Sequence, residues 1–118
     1  MKYLCLVYGE EENYQALSKS ESDALISQSL AYDEALRKSG HYVASDALES
    51  VRTARTLRRQ NGKVSVTDGP FAETKEQLLG FILIDAKDLD DAVRVASQIP
   101  CACLGSVEVR AVANLAND

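Results

Sequence analysis

Leu78-Leu79-Gly80-Phe81-Ile82-Leu83-Ile84 is the run that decides the fold. It is apolar at every position, it follows a charged connection over Phe71–Gln77, and it has the length of a strand. Alternate residues of a strand face opposite ways, so Phe81 and Leu83 lie on one side and Ile82 and Ile84 on the other. Lys2–Tyr8 has the same character, with Leu4 and Leu6 opposed to Tyr3, Cys5 and Val7. Strands apolar on both faces are expected at the centre of a sheet that is covered on both sides.

Outward from these strands, Ser18 and Glu21 have capping-box spacing and predict a helix from about Lys19. Leu25, Ile26, Tyr32 and Leu36 fall on its inner face with Ala35 beside them, and Gly40 supplies the stop. A short strand is expected at Tyr42–Ala44. Val51–Thr67 reads as a hairpin about Asn61-Gly62, since both residues tolerate the positive φ of a type I′ turn. Asp68-Gly69-Pro70 breaks the strand, because proline lacks the ladder donor. Asp88 caps a second helix with an inner stripe of Leu89, Ala92, Val93, Ala96 and Ile99, ended by Pro100. Ser106–Val112 is the last strand, and the tail after Ala113 is expected to fray.

The order is β-α-β, a hairpin, then β-α-β. That predicts one α+β domain over residues 1–118, a ferredoxin-like antiparallel sheet with an inserted hairpin and two helices on one face. The second sheet face is then bare, and an apolar face of several hundred Å² is rare on a soluble monomer. A second copy packed sheet to sheet is the expected cover, helped by the hairpin folding back over its own sheet.

The totals suit such a domain: 118 residues, 46% hydrophobic and 26% charged. A net charge of -5 argues against nucleic acid as a partner, although Arg52, Arg55, Arg58, Arg59 and Lys63 cluster on the hairpin. No segment is long enough to span a bilayer, and the apolar run at the N-terminus is too short for a signal peptide, so the expected location is the cytoplasm. Three cysteines, Cys5, Cys101 and Cys103, make no disulfide framework. With His41 they offer only a weak zinc set, and buried thiols are the preferred reading. Without a phosphate loop or a dinucleotide fingerprint, no cofactor is expected.

The candidate site is the connection Asp68–Glu76. Asp68, Glu73 and Lys75 supply charge, Phe71 an apolar wall, and Arg58 and Arg110 would complete a cleft for a small polar ligand if the loop lay over the sheet. A desolvated Asp68 or Glu73 would serve as a general base there. Asp-Gly-Pro is also a good turn in its own right, and that structural reading is preferred. His41, after Gly40, suits a helix C-terminus.

The string Asp68-Gly69-Pro70-Phe71-Ala72-Glu73-Thr74-Lys75-Glu76 resembles the DGPF branch of the YCII-related family. So do the opening Met-Lys-Tyr-Leu, the Thr56-Leu57-Arg58 stretch and the ending Gly105–Arg110, so that the resemblance covers nearly the whole chain. It implies a dimeric α/β barrel and a regulatory association with a sigma factor. Many members carry a His midway along the first helix and an Asp before a proline after the second. This chain has Ser29 and Ile99 there, and neither transfers protons near neutral pH. The expectation is therefore a homodimeric small-ligand-binding or regulatory protein. The alternative is a cofactor-free isomerase, lyase or oxygenase acting near Asp68.

Overall fold

The computed structural model describes residues 1–116; the end of the tail, at 117–118, lies outside them. β1 (Lys2–Gly9) runs between β5 (Gln77–Asp85) and β6 (Gly105–Ala111), and β2 (Tyr42–Ala47) lies outside β5. Every pairing is antiparallel. The order β2-β5-β1-β6 is consistent with a ferredoxin-like fold. The two apolar runs are indeed neighbours at the centre, with Cys5 opposite Ile82 and Tyr3 opposite Ile84.

α2 (Lys19–Ser39) and α3 (Leu89–Ala96) supply the helical side of the core. Both start on the expected caps. Ser18 Oγ accepts from the Glu21 amide at 3.1 Å, and Glu21 Oε1 accepts from the Ser18 amide at 2.9 Å. Such a box is worth about 1 kcal/mol. Asp88 Oδ1 accepts from the Asp91 amide at 2.9 Å. Gly40 closes α2 with φ of 82°, in the left-handed region where a side chain would be strained. Tyr3, Cys5 and Val7 of β1 pack with Ile82 and Ile84 of β5 beneath Leu36, Ala92 and Val95. The Tyr32 hydroxyl donates to the Val95 carbonyl at 2.6 Å and ties α2 to α3.

The opposite face carries Leu4, Leu6, Tyr8, Phe81 and Leu83, all half-buried. Register places Glu108 and Arg110 beside Leu6 and Leu4, and Asp46 beside Phe81. No helix covers these side chains within the protomer.

Several elements differ from the sequence-based expectation. Glu11–Gln15 forms a further short helix, α1, between β1 and α2. Glu11 and Glu12 in its first turn suit the positive end of the helix dipole. Val51–Thr53 is a 3-10 turn, so the hairpin strands are β3 (Arg55–Gln60) and β4 (Lys63–Asp68). On α3, Val95 is buried, whereas Leu89 and Val93 are about half exposed. The spacing Ala92, Val95, Ala96, Ile99 tracks one face, and Val93 falls about 100° from Ala92. On α2, Ile26 is exposed.

Asn61 and Gly62 take φ of 50° and 77°, as a type I′ turn requires. The hairpin does not fold back over its own sheet. All of its residues are exposed except the half-buried Thr56, and Leu57, Val64 and Val66 share one bare face. The radius of gyration is 16.3 Å, against about 13.5 Å for a compact chain of this length. The excess reflects a projecting arm.

Candidate functional site

Beneath the N-terminal half of α2 the helix stands off the sheet. The gap is a cavity of about 550 Å³, within the range of small-molecule sites. Leu25, Ser29 and Asp33 of α2 form its roof, and Val7, Gly80 and Ile82 its floor. Small residues make the room: Ser29 above, with Ala47 and Gly80 below. Gly80 is required for another reason as well. A Cβ there would stand 2.7 Å from the Asp46 carbonyl oxygen, so β2 approaches β5 too closely for a side chain.

The polar end of the cavity lies on α2. Ser29 and Asp33 are four residues apart and so share a helix face. The Ser29 hydroxyl is buried out of reach of water and, among the described residues, has no hydrogen-bond partner. The Cys101 thiol lies nearby but is a weak partner at best. Burial pushes that thiol up from its ordinary value, so Cys101 stays protonated and is a poor nucleophile. Burial likewise raises Cys5, to about 11, which fits a core thiol. Asp33 Oδ2 accepts from Ser45 Oγ at 3.2 Å, and Ser45 Oγ is 2.8 Å from the Tyr42 hydroxyl. With the Ser45 proton directed at Asp33, Tyr42 donates to Ser45. The Arg37 guanidinium sits 4.2 Å from the centroid of the Tyr42 ring and holds it in place.

At the mouth, Glu11 is tied back, its two oxygens accepting from the Val51 amide at 2.7 Å and Ser50 Oγ at 2.9 Å. The Tyr14 hydroxyl donates to the Cys101 carbonyl at 2.8 Å. These bonds join α1, the segment after β2 and the turn after α3 around one opening.

The residues expected to form a site in the 68–76 connection are placed elsewhere. The Asp68 side chain is 86% exposed and pairs with Arg55 at 3.0 Å, not with Arg58. Arg58 Nη2 donates to the Phe71 carbonyl at 3.3 Å. Glu73 and Lys75 are exposed, and Arg110 pairs with Glu108 on its own strand. Of the six, only Phe71 lines a cavity. That is a second, open groove of about 800 Å³ between the base of the hairpin and the sheet, walled also by Tyr8, Leu48 and Leu78. A general base needs desolvation that Asp68 lacks in this position.

His41 lies outside both cavities. Its Nε2 is 3.0 Å from Asp91 Oδ2 and its Nδ1 is 2.7 Å from Ser39 Oγ. Asp91 also accepts from Arg94 at 2.7 Å and from the Lys87 amide at 3.1 Å. The Arg94 bond first, then Lys87 and His41, holds the Asp91 carboxyl well below the usual range. This cluster joins the end of α2 to the start of α3. Among the described residues, no three His, Cys, Asp or Glu side chains are grouped to hold a metal ion, and no helix is long and apolar enough to cross a membrane.

Sequence reasoning missed Asp33 and Ser45 and noted Ser29 only as a missing histidine. The legible signal was the four-residue spacing of Ser29 and Asp33 on a face otherwise apolar. Ser29 and Ile99 both line the cavity, so the two positions singled out by resemblance do meet in one place.

Comparison with known proteins agrees. Residues 1–116 match the model of the YCII-related domain. An uncharacterized protein of Rhizobium meliloti (strain 1021) is 40% identical over 115 residues, covering 96% of this chain and 93% of its own length.

Proposed function

The chain belongs to the YCII-related family, and on that premise we propose that it is a homodimeric protein that binds a small ligand in the cavity beneath α2, in a regulatory rather than a catalytic role. One observation carries this reading: a cavity of about 550 Å³ beneath α2 has mostly apolar walls and one polar end, where Asp33 is held by Ser45 and Tyr42. An apolar cleft of this size with a few convergent polar groups is the usual form of a small-molecule site. Binding without turnover is supported by the residues on hand. The cavity holds no histidine, its cysteine is protonated, and Ile99 cannot move a proton.

The second copy is supported by exposed area. The protomer exposes 8351 Å², against roughly 6,300 Å² for a compact monomer of this mass. The surplus of roughly 2,000 Å² is of the size that obligate dimers bury per chain. The half-buried face of Leu4, Leu6, Phe81 and Leu83 and the bare hairpin face of Leu57, Val64 and Val66 are the places to bury it. An isolated two-stranded hairpin is marginal in water, which gives the arm its own reason to find a surface. The exposed 68–76 connection at its base would then meet the partner and leave the ligand site alone.

Thermal unfolding in the presence of a library of small molecules tests the ligand site, beside a Ser29→Phe variant that fills the cavity. Compounds binding only the native state raise Tm by mass action. The expected hits stabilise the wild type and leave Ser29→Phe unmoved. A library that moves neither protein, or moves both equally, counts against the cavity.

A further inference from the structure

We infer that the ligand carries an amine head, protonated at neutral pH, on an apolar body, with the head held by Asp33. This rests on the ligand-binding reading above and adds a charge to it. The ionisable residues lining the cavity other than tyrosine and cysteine are all acidic: Glu11, Asp33, Asp46 and Glu49, of which Asp46 lends its backbone and directs its side chain to the opposite sheet face with Phe81. No lysine, arginine or histidine lines it. None of the four carboxylates forms a salt bridge among the described residues. Arg37, the cation behind Asp33, is spent on the outer face of the Tyr42 ring. A concave, low-dielectric wall of one sign concentrates the opposite charge and rejects its own, so carboxylate and phosphate ligands are excluded.

The hydrogen bonding points the same way. Ser45 donates to Asp33 Oδ2, and no bond reaches Oδ1 among the described residues. The Tyr42–Ser45 relay therefore orients a carboxylate whose second oxygen is free to accept. An ammonium is all donor and no acceptor, so it suits that free oxygen. A charge-assisted bond of this kind is about twice as strong as a neutral one. Beyond this polar end the walls are Leu25, Ile26, Leu79 and Ile82, which suit an aromatic or branched aliphatic body. Exposed Ile26 then has a use, as part of the entrance.

The test compares three probes of one shape and different charge: phenethylamine, 2-phenylethanol and 3-phenylpropanoate. Each is titrated into the 15N-labelled full chain, with the amides of Ser29, Asp33, Ser45 and Leu79 as reporters. Phenethylamine is expected to shift those amides at least tenfold more tightly than the alcohol, and the carboxylate is expected to bind most weakly. Asp33→Asn, which can still accept from Ser45, should close the gap between amine and alcohol while alcohol binding persists. Ser29→Ala, which keeps the charge and removes a hydroxyl beyond the ligand's reach, should leave the amine's affinity unchanged. If the alcohol or the carboxylate binds as tightly as the amine, the charge inference falls and the ligand site stands. If none of the three shifts the cavity amides, both fall.

Discussion

The helix-covered face of the sheet is solid at one end and hollow at the other. Under α3, Ile84, Val95 and Ala92 are 0–1% exposed and leave no gap. Under the first half of α2, the same sheet meets Ser29 and Asp33, with Ala47 and Gly80 beneath them, and about 550 Å³ is left open. Both ends share a sheet, a helix layer and a register. They differ only in side-chain volume and polarity. Solid packing is what makes the fold stable; the hollow is where stability has been given up.

The largest expected effect lies at the solid end. Ile84→Ala should destabilise the protein by about 2–5 kcal/mol in chemical denaturation, since it opens a cavity where nothing can collapse. A loss below about 1 kcal/mol would mean that the two ends are packed alike. Next is the uncovered sheet face. Leu6→Glu, which buries a charge in the proposed dimer contact, should weaken association about a hundredfold by sedimentation. Unchanged sedimentation would take the sheet face out of the contact. At the hollow end the sign should reverse. Ser29→Ala removes an unpaired hydroxyl and is expected to be neutral or to stabilise by up to about 1 kcal/mol in the ligand-free protein. A clear destabilisation would show that the hydroxyl has a partner.

The smallest effect concerns the His41–Asp91–Arg94 cluster, which binds α2 to α3 at the solid end. The folded protein depresses the Asp91 pKa, so its contribution is present above the usual carboxylate pKa of about 4 and is lost as pH falls through the lower folded value. The stability gap between wild type and Asp91→Asn should be constant near neutral pH and shrink on acidification below about pH 4. A gap that widens in acid would contradict the assignment.

Much of the fold was legible because its causes are local. β1 and β5 declare their central place through apolar residues at successive positions, and Ser18, Gly40, Asp88 and Asn61-Gly62 act within a few residues of themselves. The site was not legible, because its parts come from separate elements. Ser29 and Asp33 meet Ser45 and Cys101 only after α2 has crossed the sheet. The Asp68–Glu76 connection drew attention through its charges and its Gly-Pro constraint. Whether it lay in a cleft depended on where the arm pointed, which is a tertiary matter. Val95 was overlooked because the inner stripe was set on Val93, two residues and about 200° away around the helix.

Native mass spectrometry of the protein as purified, beside Ser29→Phe, addresses the hollow most directly. The account predicts dimers for both proteins, with a small-molecule mass retained by the wild type, released on denaturation and missing from the filled variant. A small-molecule mass carried equally by Ser29→Phe, or a wild type that flies as a bare protomer, would contradict it.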